Sequence, residues 1–118
     1  MDDQKFRKLV SEAIDSLPSE FLMRLNNVAV VVQDAPTVQQ LRKLKLRPWA
    51  FLFGLYEGIP QTKRGSYWGV LPDKITIFKK SIEKVARSSE EIKTQVRSTV
   101  IHEMGHHFGL SEEDLRRK

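Results

Sequence analysis

Apolar positions near the start of the chain recur at helical spacing. Phe6, Leu9, Val10, Ala13, Ile14 and Leu17 share one face, which predicts an amphipathic helix over residues 3–16, ended by Pro18. Pro18 to Leu25 reads as a second short helix stopped by Asn26-Asn27. The pattern then changes. Val28-Ala29-Val30-Val31-Val32 is almost continuously apolar and β-branched, which predicts a strand buried on both faces and closed by Asp34-Ala35-Pro36. Helical spacing returns over Thr37 to Leu46, with Val38, Leu41 and Leu44 inward and Pro48 as the stop. Ala50 to Gly58 predicts a second strand, and Gly58-Ile59-Pro60 opens a polar loop that runs through Gly69. Asp73 to Lys79 alternates, predicting a third strand with one polar face, and Ser81 to Ala86 has room for a helical turn.

The longest helical pattern comes last. Ile92, Val96, Val100 and Met104 repeat every four residues, no proline intervenes, and Ser88 with Glu91 has capping-box spacing. Glu90 and Glu91 suit the positive end of a helix dipole, and Gly109 is a natural stop. The prediction is a helix over about residues 89–108. The element order α-α-β-α-β-β-α gives a small α+β domain, a sheet of about three strands packed on helices, with the final helix beneath it.

All three histidines of the chain lie at the end of that helix, in His102-Glu103-Met104-Gly105-His106-His107. Residues four apart on a helix sit one turn above each other, so His102 and His106 can present two imidazoles to one ion. Glu103 stands close enough to that face to reach water on the ion. Two neutral imidazoles and a carboxylate base make the zinc-hydrolase arrangement, with one Zn²⁺ per chain. The competing reading is an exposed His-Glu-His cluster without metal. His107 points about 100° away from His106 around the helix and cannot share their ion, so it reads as a packing or supporting histidine.

A catalytic zinc takes three protein ligands and keeps one position for water. Gly109 lets the chain turn back, and the sequence then offers Glu112, Glu113 and Asp114 before its last residue, Lys118. Glu112 stands six residues after His106, the offset of the third ligand in the metzincin-like pattern HExxHxxGxx-ligand, and is favoured. Alternatively, Ser111 caps a short final helix whose first turn these acids decorate.

Length and composition set outer limits. The 118 residues fit one domain, 1–118, with a modest core. There is no cysteine, hence no disulfide and no thiolate zinc site. No apolar run approaches the ~20 residues that span a bilayer, and Met1-Asp2-Asp3-Gln4-Lys5 does not have the form of a signal peptide. The expectation is a cytoplasmic protein with no membrane partner. The net charge is +5 with pI ≈ 9.6, but basic residues are scattered and acids interleaved. A solvated surface accounts for this, and an RNA groove is the sharper, less favoured reading.

Several blocks together resemble the small zincin-like metallopeptidases of bacteria, often called minimal zincins. They are Val28 to Pro36 closed by Asp-Ala-Pro, Gly54-Leu55-Tyr56-Glu57-Gly58-Ile59-Pro60, Leu71-Pro72-Asp73-Lys74-Ile75-Thr76-Ile77-Phe78, and His102 to Gly109. The resemblance implies a compact zincin domain with metal on His102 and His106, Glu103 as general base, and an acidic third ligand soon after Gly109. Where the family usually has Asp, this chain has Glu112, one methylene longer. The implied function is zinc-dependent hydrolysis of peptide bonds in a peptide or protein substrate. Tyr56 or Tyr67 could supply an oxyanion donor, with packing as the competing role for both. A substrate could add as a strand to an open sheet edge, and residues 61–70 could form a rim or an ordinary loop. Two other classes compete. HxxxHxxGxx-ligand also occurs in metal-dependent endonucleases that trim ribosomal RNA, but those use three histidines and have no counterpart of Glu103. A metal-binding interaction module without turnover would suit the small size. The sequence leaves the substrate and the oligomeric state open.

Overall fold

Three of the five helices among the described residues begin where a side chain takes up an otherwise unpaired N–H of the first turn. In the computed structural model, which describes residues 1–47, 52–58 and 72–107, Asp2 accepts the Lys5 N–H at 2.7 Å and starts α1, Asp3–Asp15. Helix α2, Ser19–Arg24, follows Pro18 and passes through a 3-10 turn, Leu25–Asn27, into β1, Val28–Gln33. Thr37 and Gln40 form a reciprocal capping box that opens α3, Val38–Lys43. Strand β2 is Gly54–Glu57 and β3 is Asp73–Phe78, followed directly by α4, Lys79–Val85. The last helix, α5, is Ser89–His107, its first turn capped by Ser88 Oγ accepting the Glu91 N–H at 3.1 Å.

The sheet order is β1-β3-β2, with β3 parallel to β1 and antiparallel to β2. One face carries Ile75 and Ile77, both fully buried, and the half-buried Val28, Val30 and Val32. It packs with Phe6, Leu9, Val10 and Ala13 of α1 and with Ile92, Val96, Val100 and Met104 of α5, the stripes expected from the sequence. The architecture is the expected α+β: a mixed three-stranded sheet with five helices among the described residues. No described helix is long and apolar enough to cross a membrane.

Two expectations are corrected. Strand β1 is half-buried along its whole length, not buried on both faces, because it lies at an edge of the sheet. The second face of β3 carries Lys74 and Thr76, the polar face expected, and it is covered: Thr76 and Phe78 are fully buried there. Helix α3 lies on that side, tied to it by Gln40, which accepts from Gln33 Nε2 at 3.0 Å and donates to Glu57 at 3.2 Å. Finally, α3 ends at Lys43, three residues before the expected Leu46. Lys45 adopts φ 59° and Leu46 N–H returns to the Leu41 carbonyl at 2.8 Å, a left-handed cap in which lysine takes the place usual for glycine. Of the expected second strand, residues 50 and 51 lie outside the described residues.

Gly54 sets how closely α5 approaches the sheet. A Cβ on it would stand 2.6 Å from Thr99 Cγ2 on α5 and 2.9 Å from the Thr76 carbonyl on β3. Only a residue without a side chain lets the end of the helix lie this near β2.

Candidate metal centre

The motif occupies the last two turns of α5, which continues without interruption to His107. The His102 and His106 rings are 6.3 Å apart between centroids and inclined by 46°. Two rings on one tetrahedral zinc, at Zn–N distances of about 2.0–2.1 Å, have centres about 5–5.5 Å apart, so the pair stands about 1 Å wider than one ion needs, a gap within reach of side-chain rotation on an unchanged helix. His102 Nδ1 is 2.9 Å from the Ser98 carbonyl oxygen. That oxygen can only accept, so Nδ1 carries the proton and the lone pair is left on Nε2. Metal-binding histidines are oriented in this way by a backbone acceptor.

Glu103 is held from the sheet side. Its Oε1 accepts the backbone N–H of Tyr56 at 3.1 Å. The Phe53 carbonyl accepts from Phe78 N–H, so by the alternation of an antiparallel ladder Leu55 turns its backbone groups toward β3 and Tyr56 turns its own outward. Burial raises the pKa of Glu103, and the Tyr56 N–H, then His106 and His102, pull it back down. One carboxylate oxygen, Oε1, is anchored in this way.

His107 turns toward the sheet. Its ring stacks on Tyr56 with centroids 3.9 Å apart and an 18° inclination, and its Nε2 is 3.8 Å from Asp73 Oδ2. The Tyr56 hydroxyl donates to the same Asp73 oxygen at 2.7 Å, so here it serves packing between strands. Tyr67 and the rest of residues 61–70 lie outside the described residues, as do Gly109, Glu112, Glu113 and Asp114. Among the described residues no three His, Asp or Glu side chains are grouped to hold a metal. The described residues of the motif bring together two imidazoles and one carboxylate.

Beside them a cleft of ≈ 380 Å³ opens between the start of β2 and α5, lined by Phe53, Gly54, Ser98, Thr99, His102 and Glu103 among others. The Tyr56 N–H and Ser98 carbonyl escaped the sequence reading because backbone groups leave no mark on residue identity. Gly54 did leave one: glycine inside a strand pattern signals a close backbone approach.

Residues 25–118 match the family of zincin-like metallopeptidases. The chain belongs to the zincin-like metallopeptidase family. The described part of this zincin-like chain also has the fold of a conserved hypothetical protein from Thermo thermophilus. Identity to that protein is 22%, over 92% of this chain and 94% of the other, with a TM-score of 0.56. At that identity the likeness bears on fold alone. No curated protein matches the zincin-like chain.

Proposed function

We propose that this chain is a zinc-dependent peptidase, in which His102, His106 and Glu112 hold one Zn²⁺ and Glu103 is the general base. The observation that carries the reading is the anchoring of Glu103 between the metal-type histidines and the edge of β2. Zinc in such a site supplies Lewis acidity and makes water a better acid near neutral pH. Ser98 holds His102 in the tautomer that offers Nε2. The Tyr56 N–H fixes Glu103 Oε1, so that Oε2 is the atom that takes a proton and can return it to the leaving amine. Burial, by raising the Glu103 pKa, makes the carboxylate a stronger base than an exposed glutamate. An extended peptide is the substrate suited to the cleft between β2 and α5, where a strand edge offers backbone partners.

Zinc content tests the ligand set. His106→Ala should abolish stoichiometric zinc, and Glu112→Ala should weaken zinc binding far more than Glu113→Ala or Asp114→Ala. Unchanged zinc in His106→Ala overturns the site. Equal losses across the three acids overturn the assignment of Glu112.

A further inference from the structure

The edge of the sheet remote from the metal-type residues, β1, carries no charged side chain, and no described strand pairs with its outer side. Beyond its ladder with β3 and the Val28 N–H that donates to the Leu25 carbonyl where the strand begins, no backbone–backbone hydrogen bond among the described residues engages Val28–Gln33. The strand carries no lysine, proline or bulge of the kind that guards exposed edges. Beside it, between β1 and α1, lies a groove of ≈ 260 Å³ whose apolar walls are Val10, Ile14, Val30 and Val32. The rim of this groove on α1 is Arg7, Ser11 and Asp15, spaced four residues apart on one helix face. Arg7 and Asp15 form no salt bridge among the described residues.

That rim reads basic, small, acidic in one direction and is its own complement in the other. We infer that the β1 edge and the Arg7–Ser11–Asp15 stripe form an isologous interface with a second copy of this chain. Antiparallel pairing of β1 with its symmetry mate makes one six-stranded sheet, with the two-fold axis normal to it. Both α1 helices then lie on the same face, antiparallel and adjacent. Ser11 meets Ser11 at the axis, where a small residue permits close approach, and Arg7 of each copy meets Asp15 of the other. The two grooves merge and cover their valines. A closed two-fold of this kind satisfies both edges at once and leaves the β2 edge, with Glu103, at the ends of the joined sheet.

Sedimentation of the full chain, with its charge variants, tests this. Wild type should sediment as a dimer. Arg7→Asp or Asp15→Arg alone sets like charges against each other at both symmetric contacts and should weaken dimerisation by about tenfold. Both residues are exposed, so the fold is not at stake. The double exchange, Arg7→Asp with Asp15→Arg, restores the complement and should restore the dimer. Hydrogen exchange should show alternate amides of Val28–Gln33 protected in the dimer and unprotected in the dissociated single variants. A monomeric wild type overturns the proposal. So does a dimer that the single changes leave intact, one that the double change does not rescue, or one whose β1 amides exchange freely.

Discussion

Glu103 is a carboxylate pushed from one side by burial and held on the other by a single N–H, and burial is the larger influence. Its folded pKa is raised above its ordinary value of 4.5, so the folded chain binds that proton more tightly than the unfolded chain does. The stability this group contributes is therefore complete below its ordinary value and is lost as pH rises through the raised one. Glutamine cannot ionise and keeps an oxygen for the Tyr56 N–H. Thermal melts of metal-free protein should thus find Glu103→Gln more stable than wild type at neutral pH, with the advantage vanishing at acid pH. A less stable variant at neutral pH would mean that the anchor outweighs burial. Sequence spacing placed Glu103 beside the two histidines, because helical periodicity is a property of side-chain positions. It could not reveal what holds the carboxylate, since the donor is the main chain of a residue 47 positions earlier.

At the scale of elements, Gly54 and Lys45 are two backbone decisions with opposite consequences. Gly54→Ala would place a Cβ against Thr99 and against a main-chain oxygen that cannot yield without moving β3. It should cost about 1–3 kcal/mol, read as a lower denaturant midpoint with unchanged slope. A neutral Gly54→Ala would show that helix and strand are not in close contact. Lys45 does the reverse. It occupies a left-handed conformation that costs a non-glycine residue about 1 kcal/mol, and its side chain is exposed. Lys45→Gly should raise stability by up to about 1 kcal/mol in the same titration. The apolar stripes of α1 and α5 were legible because each faces one core over several turns. The end of α3 was not, because Leu44-Lys45-Leu46 continues an apolar pattern through a cap that only the backbone shows. Nor was the exposure of β1, since an apolar run looks the same in the middle of a sheet and at its edge.

Across the whole molecule, the sheet and α5 place the motif face next to a cleft, and that adjacency is what a hydrolase requires of so short a chain. The family and the α+β class could be read before any coordinates, from the motif and the order of periodicities. Strand order, the packing of α3 on the second face, and the contact between β2 and Glu103 could not, because they depend on pairings between distant segments. The most direct test of the account is digestion of an unbiased peptide library by zinc-loaded wild type and by Glu103→Gln carrying the same zinc. Wild type should cleave, and the variant should lose about 10²–10⁴-fold in turnover at equal zinc content, as expected for removal of a general base. Equal cleavage by both proteins, or no cleavage by fully zinc-loaded wild type, would contradict it.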